Sequence, residues 1–105
     1  MEELIVIHRD SDFYCARPEP EVTLIGWLRS APVVTGPDTR DLTIHFEDAD
    51  SNLPLYAVGP AEERLRPLID RRVRLVGRFV DLRDEGGVLE LWPAWVSPLE
   101  APDID

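Results

Sequence analysis

From residue 41 to residue 47 the chain alternates without a break, with Leu42, Ile44 and Phe46 apolar and Thr43, His45 and Glu47 polar. A period of two sends successive side chains to opposite faces of a strand, so this stretch predicts a strand with one face in a core. Residues 22–29, VTLIGWLR, follow the same rule, with Val22, Leu24 and Leu28 on one face and Thr23, Ile25, Trp27 and Arg29 on the other. Residues 53–59, LPLYAVG, predict a third strand with Leu53, Leu55 and Ala57 inward and Pro54 at an edge or strand start.

Residues 73–92, VRLVGRFVDLRDEGGVLELW, predict two strands folded back on each other. Val73, Leu75, Gly77 and Phe79 alternate with Arg74, Val76, Arg78 and Val80, and Asp84, Glu85, Gly86 and Gly87 supply the turn. Gly77 leaves a strand position without a side chain, which marks a bulge or bend. The second strand is expected to stop at Pro93, which has no amide hydrogen to give a ladder. Residues 94–100, AWVSPLE, then continue the pairing only weakly.

Between the third strand and this hairpin, residues 60–72 predict a short helix. Pro60 suits the first turn, Glu62 and Glu63 complement the N-terminal dipole, and Leu65, Leu68 and Ile69 form one apolar stripe. Pro67 limits it to one or two turns, and Arg71 and Arg72 suit its C-terminal end. Ahead of the strands, residues 3–8 predict a short leading strand. Residues 10–21 predict an extended wrapping segment, with Phe13 and Tyr14 over one end of the core. Residues 30–40, with Pro32, Gly36 and Pro37, predict a loop. The chain divides into residues 1–20 (leading strand and wrap), 21–99 (the body) and 100–105 (a frayed acidic tail).

Composition narrows the class. At 105 residues, with 44% hydrophobic and 30% charged, this is one globular domain rather than a disordered chain. Cys15 is the only cysteine, so neither an internal disulfide framework nor a paired-cysteine zinc site is available. LIVI at residues 4–7 is too short for a signal sequence, and no run approaches the ~20 apolar residues of a membrane span. The expected location is the cytoplasm, with no membrane partner.

The formal net charge of −10 repels polyanions at long range. Yet residues 64–83 hold seven arginines (64, 66, 71, 72, 74, 78 and 83) against Asp70 and Asp81. All eleven basic residues are arginine. Arginine makes bidentate and stacking contacts that lysine does not, although a lysine-free chain equally follows from the codon bias of a GC-rich genome.

Candidate chemistry is sparse. No nucleophile elbow, phosphate-binding glycine loop, zinc signature or dinucleotide fingerprint is present. His8 and His45 lie on different strands, and Glu62 and Glu63, adjacent on a helix, point apart. His8 reads as a structural histidine. Asp48, Asp50 and Asn52 lack the glycine and the closing glutamate of a calcium loop, so residues 48–52 predict a solvated turn. The expectation is a non-enzymatic binding module with no cofactor and no metal.

The order of strand, strand, strand, helix, strand, strand, with glycines in the first and fourth strands, is carried by VTLIGWL, DLTIHFED, LPLYAVG, LRPLIDRRVRLVGRF and VLELWPAWV. Over about residues 20–98 it resembles the oligonucleotide/oligosaccharide-binding (OB) fold, an all-β, five-stranded Greek-key barrel with a short helix between strands three and four. The resemblance implies a site across strands two and three. It points to Thr43, His45 and Tyr56 on the sheet, Trp27 and Arg29 beside them, Arg40 in the first flanking loop and Arg83 in the second. Arg74 and Arg78 add cations from the fourth strand.

The implied ligand is single-stranded nucleic acid, with bases stacked on aromatic rings and arginines on phosphates. The chain departs from nucleic-acid-binding members in its acidity. That acidity favours a second reading, a module or accessory subunit that presents an acidic surface to a basic protein. For the aromatic residues the plain alternative is packing: Trp27 capping the core, Trp92 and Trp95 buried about Pro93.

Overall fold

The computed structural model describes residues 4–35 and 41–99. Among these residues six strands form one antiparallel sheet: β1 (Ile5–Val6), β2 (Val22–Thr35), β3 (Asp41–Glu47), β4 (Asn52–Pro54), β5 (Arg72–Asp81) and β6 (Leu89–Pro98). Their order across the sheet is β1-β6-β5-β2-β3-β4. One helical turn, α1 (Asp12–Cys15), precedes β2, and α2 (Pro60–Leu65) lies between β4 and β5, followed by a 3-10 turn at Arg66–Leu68.

The alternating segments fold as their pattern requires. Leu42, Ile44 and Phe46 are fully enclosed, and Leu28, Leu55, Val73, Leu75, Leu91 and Val96 join them on the inner face of the sheet. Ala61, Leu65 and Leu68 close this core from the helical connection. Each such aliphatic or aromatic side chain contributes about 1.5–3 kcal/mol by leaving water. The turn after β3 is solvated as expected: Asp48 Oδ1 accepts the amide hydrogens of Asp50 and Ser51, both at 2.8 Å. The Asp50 amide, then that of Ser51, holds the Asp48 carboxyl below the ordinary range.

The third strand is shorter than its expected span of residues 53–59, since β4 ends at Pro54. Four further features differ from the sequence expectation. The sheet has six strands and is not closed into a barrel. The free edge of β6 is taken by the leading strand, with Ile5 opposite Val96 and Val6 opposite Trp95, and the amide of Ile7 continues to Ala94 O. The other end of the sheet therefore meets β6 only through an isolated parallel bridge between Leu55 and Leu91.

Second, residues 30–35 are strand rather than loop. Val34 pairs with Leu42 and Thr35 with Asp41, after a register shift that brackets Pro32, the residue with no amide hydrogen to give. Third, β6 runs through Pro93 to Pro98. Pro93 pairs with Gly77 where the β5–β6 register slips between Val76 and Gly77, so its missing hydrogen falls at a bulge. The glycine bulge is where the sequence placed it. Fourth, the segment before β2 is not wholly extended: the amides of Tyr14 and Cys15 bond to Ser11 O and make the single turn α1. The expected fray of residues 100–105 lies outside the described residues.

That turn roofs the outer face at one end of β5 and β6. Tyr14 is enclosed with Val80, Leu82, Trp92 and Ala94 in a second apolar cluster. Its hydroxyl donates to Glu21 Oε2 at 2.7 Å, and burial, then that bond, raises it well above the ordinary tyrosine value of 10.0. The unfolded chain ionises this phenol near its ordinary value while the folded protein resists. The stabilising effect is therefore complete below pH 10 and lost as pH rises beyond it. Thermal midpoints measured from pH 8 to 11.5 should fall in the upper part of that range, and Tyr14→Phe should flatten the fall. An equal fall in both proteins would remove Tyr14 as its source.

Candidate functional site

Residues directly opposite in an antiparallel pair share a face, so the register defines what lies on the outer side of the sheet. Across β2 and β5, Trp27 is opposite Arg72 and Ile25 is opposite Arg74. Across β2 and β3, Trp27 is opposite Glu47 and Arg29 opposite His45. Ile25 and Trp27 are 44% and 39% exposed, large apolar groups left in water beside a strand, β5, that carries Arg72 and Arg74. The roof formed by α1 and its flanks covers β5 at Arg78 and Val80; this end of the outer face lies beyond it.

The Arg29 guanidinium stacks on the Trp27 ring, 4.9 Å from its centroid. It is also held by two carboxylates, Asp70 Oδ1 at 3.0 Å and Glu47 Oε1 at 3.4 Å. The arrangement is an aromatic plane with a planar cation on it, beside two further arginines on the next strand. Chemically, an aromatic plane can take a stacked ring, and guanidinium groups can form charge-assisted bonds to a phosphate or carboxylate.

The other residues expected at the site separate into several places. Thr43 Oγ1 donates to Glu62 Oε2 on α2, and Glu62 in turn pairs with Arg66 at 3.2 Å. His45 Nδ1 donates to Asn52 Oδ1 at 2.7 Å, while its Nε2 is enclosed without a partner among the described residues. These two polar groups thus tie β3 to α2 and to β4. Tyr56 does not join the Trp27 face. Its ring stacks on His8 at 4.8 Å and leans on Trp92 at 4.8 Å, with Phe13 at 5.8 Å. His8 Nε2 donates to the Tyr56 carbonyl at 2.7 Å, the structural role expected of a lone histidine.

Arg78 lies over the Tyr14 ring at 4.6 Å and donates to the Glu19 carbonyl, so it fastens the N-terminal segment to β5. Arg83, in the exposed turn between β5 and β6, grips Asp81 with two bonds of 2.8 and 2.6 Å. That grip, chiefly the side-chain bond, holds the Asp81 carboxyl down to about 2. Arg40 lies outside the described residues. Of the expected set, Trp27, Arg29 and His45 share neighbouring positions on the outer sheet, and Arg74 joins them through its pairing with Ile25.

Four participants were not singled out from sequence as part of a site: Ile25, Glu47, Arg72 and Asp70. Alternation alone places Ile25 outward beside Trp27. Arg72 becomes a neighbour of Trp27 only through strand register, and Asp70 reaches Arg29 across 41 positions of sequence.

No group of three or more His, Cys, Asp or Glu side chains suited to a metal occurs among the described residues. No described helix is long and apolar enough to cross a membrane. Compared with protein-family models, curated proteins and solved structures, the chain gives no significant match.

Proposed function

We propose that this chain is a non-enzymatic, cytoplasmic binding module of the OB type, with an open sheet, and that it holds single-stranded nucleic acid on the outer face of β2 and β5. The carrying observation is the exposed Trp27 and Ile25 pair, ladder-paired to Arg72 and Arg74, on a protein whose net charge is −10. An acidic molecule that gathers arginines around an exposed indole has a local field opposite to its overall one, and such a patch attracts an anion with flat rings.

The two rungs have the same pitch. Trp27 and Ile25 are two residues apart on β2, as are Arg72 and Arg74 on β5, so an apolar track runs beside a cationic one. A strand laid along them rests bases on one track and phosphates on the other.

Tryptophan fluorescence titrated with oligothymidine at low salt tests the reading, because Trp27 is the most exposed of the indoles while Trp92 is enclosed and Trp95 half-buried. Saturable quenching that weakens with salt is expected, and Trp27→Ala should lose about 5- to 150-fold in affinity, equivalent to the ~1–3 kcal/mol of one stacked base. A flat titration at low salt would sink the proposal. It would favour the second reading, a module offering its acidic surface to a basic protein, which rests on the same net charge of −10.

A further inference from the structure

Asp70 is the only non-glycine residue with positive φ among the described residues, at φ 69. L-residues other than glycine, asparagine and aspartate seldom adopt this backbone, and its occurrence often marks a constrained functional position. The constraint is visible. The Asp70 amide donates to Leu28 O at 2.6 Å, and the Leu28 amide donates to Arg71 O at 3.2 Å, so residues 69–71 are clamped to β2 immediately beside Arg29. The clamp delivers the Asp70 carboxylate to the Arg29 guanidinium at 3.0 Å, with Glu47 on the same guanidinium and the Trp27 ring beneath it.

The Asp70 side chain is 73% exposed and that of Arg29 36%, so the pair is neither a buried structural bridge nor part of the apolar core. A solvent-facing carboxylate is thus held by an unusual backbone at the place on Arg29 where a phosphate would dock.

Resting on the nucleic-acid reading above, we infer that Asp70 is a built-in competitor for the site. Its carboxylate occupies Arg29 in the free protein, and an incoming phosphate must displace it. Two consequences follow from electrostatics. Removing the carboxylate while keeping the backbone strengthens binding, since the phosphate no longer displaces a partner. An exposed ion pair is weak, so the gain is about two- to fivefold. The salt dependence also steepens. The displaced carboxylate stays beside the phosphate and offsets part of the counterion release; without it, log K falls with log salt by up to about 0.7 more, the increment for one single-strand phosphate.

Asp70→Asn is the test, because asparagine accepts the left-handed backbone at least as well as aspartate and differs only in charge. Asp70→Gly is the second variant, free of both the strain and the carboxylate. Each is titrated with oligothymidine beside the unmodified protein from low to moderate salt, with Arg29→Gln and the double variant completing a cycle. The expected result is two- to fivefold tighter binding by both Asp70 variants, a steeper salt slope, and loss of the gain when Arg29 is also replaced. If the unmodified protein binds but the variants bind equally or more weakly with the same slope, Asp70 is only a structural partner of Arg29 and the competitor role is overturned. If neither the protein nor its variants bind at low salt, the nucleic-acid reading itself fails and the inference goes with it.

Discussion

Gly77→Ala is expected to destabilise the protein by about 3 kcal/mol or more. A Cβ at this position would lie 2.3 Å from Trp92 O and 3.0 Å from Pro93 Cα, and both are main-chain atoms of the partner strand. Real methyl groups do not approach so closely, so the β5–β6 pair must separate at its bulge. Replacing glycine by alanine ordinarily favours the folded state by about 0.4–1 kcal/mol through the unfolded chain. Here that gain is outweighed by overpacking, which costs about 1–3 kcal/mol where side chains can adjust and more where backbone must move.

For a domain whose whole stability is of the order of 5–15 kcal/mol, the loss is a large fraction. Urea denaturation followed by circular dichroism reads it as a lower midpoint at unchanged slope. An unchanged midpoint would mean that β5 and β6 do not approach at Gly77 as described. Gly26→Ala is expected to act in the same direction, since its Cβ would meet Glu47 O at 2.4 Å and the Phe46 ring at 2.7 Å.

Trp92→Ala is expected to cost about 3–5 kcal/mol, the range for emptying a large aromatic site. The indole is the centre of the outer cluster: Phe13 meets it edge-on at 5.8 Å, Tyr56 at 4.8 Å, and the Arg17 guanidinium lies 5.3 Å from its centroid. Its Nε1 also donates to Glu90 Oε1 at 2.9 Å, and Glu90 has no exposed surface. Removing the indole therefore opens a cavity and takes a donor from a buried carboxylate, and the second effect supplies about 1–3 kcal/mol of that loss.

Trp92→Phe separates the two, because it keeps most of the packing and loses only the donor; its loss should fall between that of the alanine variant and none. Calorimetric midpoints of the three proteins give the order. The two variants losing equally would remove packing as the main term. Below their melting temperatures both should bind oligothymidine as the unmodified protein does, because Trp92 lies under the N-terminal roof, away from the Trp27 end of the outer face.

Much of this fold was readable along the chain. Strict alternation from Leu42 to Phe46 needs one face in a core whatever the strand's neighbours, and it has one. Pro60, Glu62 and Glu63 announce a helix start through backbone and dipole preferences that act within one turn. Gly77 signals a bulge because a strand gains nothing from a missing side chain unless something approaches closely there.

The misread segments share a cause. Pro32, Gly36 and Pro37 together read as a loop, and Pro93 reads as the end of a strand, yet Pro32 and Pro93 both sit at register shifts where no ladder hydrogen is required. Whether a proline ends a strand depends on which partner atom would face its nitrogen, and that is set by the neighbouring strand. Likewise, strand order alone does not close a barrel: Ile5 and Val6 pair with β6 at Val96 and Trp95, and Leu55 meets it in an isolated bridge at Leu91.

The site divides in the same way. Sequence alone determined that Ile25, Trp27 and Arg29 share a face of one strand, because alternation is a property of a single extended chain. It also determined an arginine-rich stretch over residues 64–83 in an otherwise acidic molecule. Which of those arginines stand beside Trp27 was decided only by the tertiary structure: strand register brings Arg72 and Arg74 to the outer face and sends Arg78 under the N-terminal segment. The same holds for Tyr56, drawn to His8 and Trp92, and for Asp70, carried to Arg29 from 41 residues away. Periodicity is local and survives in one dimension. Pairing partners and the reach of a carboxylate depend on how separate segments are laid against one another, which no single segment encodes.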